Sequence, residues 1–119
     1  MLTAREKARI SVEALDKKLA SDIKVINIEK VSIIADYFII AGGSNRNQLQ
    51  AMADEVEEKL GRAGCEPKNV EGYLNGNWIL MDYGDIVLHL FDSENRLFYD
   101  LERIWRDGED VDLESLKEE

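Results

Sequence analysis

Asp82 and Asp85, the Gly42-Gly43-Ser44 turn, His89 and Cys65 are the side chains and backbone of this sequence most suited to catalysis or metal binding. A glycine-serine turn between a strand and a helix can offer backbone N–H groups to a phosphate. No Gly-Lys-Ser/Thr follows this one, and the glycine pattern of dinucleotide binding is missing. A tight turn with a helix N-cap accounts for the same residues without a ligand. Such a turn, followed by strand carboxylates, is also how nucleotidyl-transferring enzymes place their metal ions. Two-metal chemistry needs carboxylates converging on ions roughly 3.5–4 Å apart. Side chains alternate along a strand, so two carboxylates on one face are separated by a single residue. Asp82 and Asp85 have Tyr83 and Gly84 between them, across an expected turn, and this spacing argues against a metal site.

His89 sits among Leu88, Leu90 and Phe91. A general base needs a nucleophile and an orienting partner, and the sequence presents no such set. A hydrogen-bonded structural or interface histidine is the favoured reading. Cys65 is the single cysteine, which excludes an intrachain disulfide and a clustered thiolate site. It reads as a small, partly buried apolar side chain. No catalytic, cofactor-binding or metal residue is therefore assigned.

The elements that carry these residues follow from periodicity. Thr3 and Glu6 form a capping box, and Ala8, Val12, Leu15 and Leu19 make one apolar helical stripe. Residues 23–28 are short and β-branched, which predicts a strand. The nearly all-apolar run Tyr37 to Ala41 predicts an inner strand covered on both faces. A second helix starts at Ser44 or Asn45 and buries Leu49, Met52, Ala53, Val56 and Leu60, with Gly64 as its stop. After Pro67 a short strand is expected near residues 68–71. Residues 78–82 and 86–91 predict an antiparallel hairpin across Tyr83-Gly84-Asp85. Helical spacing returns over residues 96–105, and beyond Asp107 an acidic segment with few anchors is expected to fray. One α/β domain results, with a mixed sheet of about five strands and helices packed on it.

The length of 119 residues fits one domain, and a hydrophobic content of 45% supports one core. No apolar run approaches the roughly 20 residues that span a bilayer, and the N-terminus lacks the apolar stretch of a secretory signal. A cytoplasmic protein is the simplest reading. The net charge of −10 opposes nucleic-acid phosphate and suits a basic protein partner.

The segment from Glu71 to Trp78 bears most on function. Trp78, Leu80 and Asp82 alternate onto one strand face, and Asn77, Ile79, Met81 and Tyr83 onto the other. Either helices cover both faces, or one face meets a partner with Trp78 as its aromatic anchor.

These residues resemble a known family. Ala35-Asp36-Tyr37-Phe38-Ile39-Ile40 leading to Gly43-Ser44-x-Arg46 is similar to its first signature. Its second is matched by Glu71-Gly72, residues Trp78 to Asp85, Val87-x-His89-x-Phe91 and Arg96-x-x-Tyr99-x-Leu101-Glu102-x-x-Trp105. The chain thus resembles the ribosomal silencing factors, also called Iojap-like proteins, over roughly residues 3 to 106. This frames residues 1–106 as the family domain and 107–119 as an acidic tail. The resemblance implies a nucleotidyltransferase-like sheet without catalytic carboxylates, and a non-enzymatic role with no cofactor. It implies binding to the large ribosomal subunit through the subunit protein numbered fourteen, which blocks subunit joining and represses translation when nutrients are scarce. It also implies a homodimer, which the residues themselves leave open. Carried onto matching positions, the partner-binding candidates are Trp78, Leu80, Asp82, Asp85, His89 and Tyr99, with Tyr73 and Arg96. One departure is Asn27, where the family often has aspartate in its first strand. A large-subunit assembly factor and a nucleotide-binding relative of nucleotidyltransferases are the competing readings.

Overall fold

The first helix forms where its capping box is complete: Thr3 Oγ1 accepts the Glu6 N–H at 3.1 Å, and Glu6 Oε1 accepts the Thr3 N–H at 3.3 Å. The computed structural model describes residues 2–30, 32–33, 35–74, 77–92 and 108–117. Helix α1 spans Ala4–Lys17 and buries Ala8, Val12 and Leu15. Leu19, expected on that stripe, lies past the helix end with φ 60 and is 81% exposed. Strand β1 (Ser21–Asn27) follows, with a register break after Ser21 against its neighbour β2 (Tyr37–Gly43). Asn27 turns the chain out of β1, its amide oxygen accepting the Glu29 N–H at 2.9 Å.

Gly42 and Gly43 belong to β2 rather than ending it, and a Cβ at Gly43 would stand 3.0 Å from Leu49. Helix α2 (Arg46–Arg62) is capped by Asn45, whose side chain accepts the Gln48 N–H at 2.8 Å. All five apolar positions expected to face inward are buried. Glu55 is also buried between the helices, 3.2 Å from Lys17 Nζ and 3.8 Å from Lys59 Nζ. Burial opposes its ionisation, but the hydrogen bond and charge of Lys17, with Lys59 and Lys18, hold its carboxyl below the usual range.

The remaining strands are β3 (Asn69–Glu71), β4 (Trp78–Asp82), β5 (Ile86–Asp92) and β6 (Glu109–Val111), and a short helix α3 (Leu113–Lys117) follows. Strand order is β3-β4-β5-β2-β1-β6. The β4–β5 pair is antiparallel, as its short connection requires, while β2 and β5 are parallel at the sheet centre. All seven residues of β2 are buried, as expected of an inner strand.

One expectation is corrected. Among the described residues the mixed sheet has six strands, the sixth supplied by the acidic segment. That segment does not fray over residues 109–117: Val111, Asp110 and Glu109 pair with Val25, Ile26 and Asn27, and Leu116 is fully buried. Val111, Leu113 and Leu116, with the ladder hydrogen bonds, anchor a stretch that its charge made look unanchored. The helix expected over residues 96–105 lies outside the described residues.

The two sheet faces differ. Tyr37, Ile39, Ala41, Ile79, Met81, Ile86, Leu88 and Leu90 meet α1 and α2 in the main core. The opposite face carries a smaller cluster of Ile26, Ile28, Ala35, Phe38, Ile40, Val87 and Phe91, with Leu80 at its margin. No helix of the described residues is long and apolar enough to cross a membrane.

Candidate functional site

The smaller cluster leads directly to the candidate anchor. Trp78 pairs with Phe91, Leu80 with His89 and Asp82 with Val87, so strand alternation puts all six side chains on one face. The Trp78 ring stacks at 5.6 Å and 17° on Phe91 and at 5.9 Å and 27° on His89. Phe38, from β2, closes on His89 from the other side at 4.9 Å. Trp78 is nevertheless 40% exposed, whereas Phe91 and His89 are buried. The arrangement is a rigid aromatic ledge with one large ring at its edge, the form that interface anchors take.

His89 sets the tilt of that ring. The Trp78 indole N–H donates to His89 Nδ1 at 3.3 Å, which fixes the imidazole proton on Nε2. Nε2 is buried and has no hydrogen-bond partner among the described residues. Burial lowers the His89 pKa to about 4, so the neutral ring persists near neutral pH. His89 is the chain's single histidine. Its NMR titration is therefore expected near pH 4. An unfolded histidine titrates near 6.5. The stability that the neutral ring contributes is thus complete above about pH 6.5, declines as pH falls toward 4, and flattens below. Urea unfolding between pH 7 and pH 5 checks this, since carboxylates contribute little there, and His89→Gln should flatten the slope. A histidine that titrates near 6.5 in the folded protein would contradict the buried geometry.

The structure does not bring all the candidates together. Trp78, Leu80, Asp82 and His89 share the ledge face. Asp85 turns to the helix side, where both carboxylate oxygens lie 3.1 Å from Lys7 Nζ of α1. Tyr73 also packs with the helices: its hydroxyl donates to Asp54 of α2 at 3.0 Å, and Gln50 donates to its carbonyl at 2.8 Å. Tyr99 and Arg96 lie outside the described residues. Phe38 and Phe91 belong to the ledge and were not singled out from sequence. Alternation along residues 87–91 would have placed Phe91 there, but Phe38 joins only through the parallel β2–β5 register.

The chemistry weighed from sequence meets the following geometry. Asp82 Oδ1 accepts the Gly84 N–H at 2.8 Å while Asp85 is held by Lys7, so the two carboxylates are turned to different partners. In the glycine-serine turn, the Ser44 N–H donates to Gln48 Oε1 at 2.7 Å, leaving that group committed within the protein. Cys65 is half-buried, as its type suggested.

Residues 1–119 match the family described as ribosomal silencing factor during starvation. The match thus includes the acidic segment, beyond the span that the motifs covered. A ribosomal silencing factor of Halalkalibacterium halodurans is 36% identical over 115 residues, which is 97% of this chain and 98% of that protein. A crystal structure of a Chromobacterium violaceum protein is similar with a TM-score of 0.84 at 31% identity, covering 88% of each chain. A mouse protein named for mitochondrial assembly of the ribosomal large subunit is 31% identical over 97 residues, 79% of this chain and 42% of that protein.

Proposed function

The chain belongs to the ribosomal silencing factor family, and on that premise we propose that it binds the large ribosomal subunit through the subunit protein numbered fourteen and hinders joining of the small subunit. The observation that carries this reading is the ledge of Trp78, His89, Phe91 and Phe38, with its exposed indole edge. Such a rigid aromatic surface presents contact area at little entropic cost. Asp82, on the same face, and the charge of −10 match it to a basic partner rather than to bare phosphate. Steric occupancy is sufficient for the effect, without covalent chemistry. The proposed action places the protein in the cytoplasm with its ribosomes, and a homodimer is part of the same reading.

The test is sedimentation with purified large subunits, followed by small subunits and magnesium. Silencing requires co-sedimentation with the large subunit and a smaller joined-ribosome peak. Binding with normal joining would favour an assembly role, which the name of the mouse relative supports. Binding to neither subunit would overturn the proposal. A nucleotide-binding role would instead show as a melting temperature raised by saturating nucleotide with magnesium.

A further inference from the structure

We propose that Tyr73, clamped on α2 by Asp54 and Gln50, is a positioning residue that fixes Trp78 from the opposite side of the sheet. The hold on Trp78 stands on geometry alone, while its effect on the large subunit rests on the reading above.

Trp78 needs such a hold because it lies at a strand end. It is the first residue of β4, and the β3 ladder covers only Leu80 to Asp82. On the β5 side its backbone pairs with Phe91, but on the β3 side it has no ladder partner among the described residues. Gly72 takes that place. With φ +80 it turns the chain back over β4, so closely that an added Cβ would strike the Trp78 carbonyl oxygen. A shift of Gly72 is therefore felt at the Trp78 backbone.

The residue after Gly72 is anchored twice. Gln50 and Asp54 are four residues apart on α2, so their side chains rise from one helix face. The Gln50 amide donates to the Tyr73 carbonyl at 2.8 Å. The Tyr73 hydroxyl donates to the Asp54 carboxylate, whose oxygens lie at 3.0 and 3.1 Å. That bond foremost, then burial and the charges of Asp54 and Glu57, raise the Tyr73 pKa and keep it a donor. The Tyr73 ring packs against the main core, on the helix side.

The chain of contacts runs from Asp54 through Tyr73 and Gly72 to Trp78. Stacking on Phe91 and His89 sets the indole against its own face, whereas the clamp sets the backbone that carries it. A partner is bound only by the fraction of chains that hold the competent orientation, so a looser clamp lowers the apparent affinity. Tyr73 then acts through Trp78 rather than by touching the partner.

Two readouts on the full chain test this. The first is solvent exchange of the Trp78 indole N–H, which donates to His89, followed by NMR. The chain has two tryptophans, and Trp78→Phe assigns their signals. Tyr73→Phe removes only the hydroxyl and should speed the exchange roughly fivefold. Asp54→Ala should do the same, whereas Asp54→Asn keeps an acceptor and should restore most of the protection. The second readout is co-sedimentation with large subunits. Tyr73→Phe should weaken binding roughly threefold, and Tyr73→Phe with Gln50→Ala roughly tenfold. In the Trp78→Ala background neither change should weaken binding further. Unchanged indole exchange in a folded Tyr73→Phe would overturn the inference. So would an equal binding loss without Trp78, which would put Tyr73 on the partner itself. If the unaltered chain binds no large subunit, the ribosomal reading fails and the exchange rates alone decide the clamp.

Discussion

Replacing Trp78 with alanine is expected to weaken binding to the large subunit by about 2 kcal/mol or more, a loss of roughly thirtyfold. The indole is the largest exposed apolar group on the ledge, and two stacked rings hold it in place before any partner arrives. A preformed anchor loses little entropy on binding, so most of its buried area counts toward affinity. The variant should remain folded. Trp78 is only partly buried, and Ile79, Met81, Leu88 and Leu90 make the main core from the opposite face. Co-sedimentation titrations, paired with thermal unfolding, check both halves of the expectation. Wild-type affinity in a folded variant would remove Trp78 from the interface, whereas an unfolded variant would reassign it to the core. Trp78→Phe separates contact area from orientation, since it keeps a ring but loses the N–H that reaches His89.

Gly72→Ala is expected to cost about 3 kcal/mol in denaturant unfolding, for two additive reasons. Gly72 has φ +80, where a Cβ costs roughly 1–2 kcal/mol by itself. The added Cβ would also collide with the Trp78 carbonyl oxygen, a backbone atom that cannot move without shifting β4. Gly64→Ala is the control. It has φ +91, but nothing lies within 4 Å of the added carbon, so only the backbone cost of about 1 kcal/mol is expected. Equal losses in the two variants would show that the collision relaxes freely. Because the shifted strand carries Trp78, Gly72→Ala should also lower subunit binding at temperatures where it is folded.

The same contrast between local and distant causes explains what could be read from the chain. The α1 capping box, the Asn45 cap and the β4–β5 hairpin are written in a few adjacent residues, and the structure has them all. The burial of β2 was legible because an unbroken apolar run has few other solutions. Its parallel pairing with β5 was not, since nothing local in either strand names the other. Strand β6 was missed because Glu109 and Asp110 are exposed at a sheet edge, where alternation is not enforced. At the candidate site, alternation correctly grouped Trp78, Leu80 and Asp82. Asp85 and Tyr73, carried over from the family motifs, face the helix side instead, where their partners Lys7 and Asp54 sit.

The position of β6 bears on how the protein is made. Its ladder partner β1 leaves the ribosome early, but β6 is translated only after every other strand of the sheet. Until then the outer edge of β1 has unpaired backbone N–H and C=O groups beside Val25 and Ile26. An open edge of that kind recruits other strands, which makes the nascent chain prone to aggregate. Once Glu109 and Asp110 are docked, with Glu109 held 3.2 Å from Lys30 Nζ, those backbone groups of β1 are paired, so the segment that finishes the sheet also covers the edge it left open.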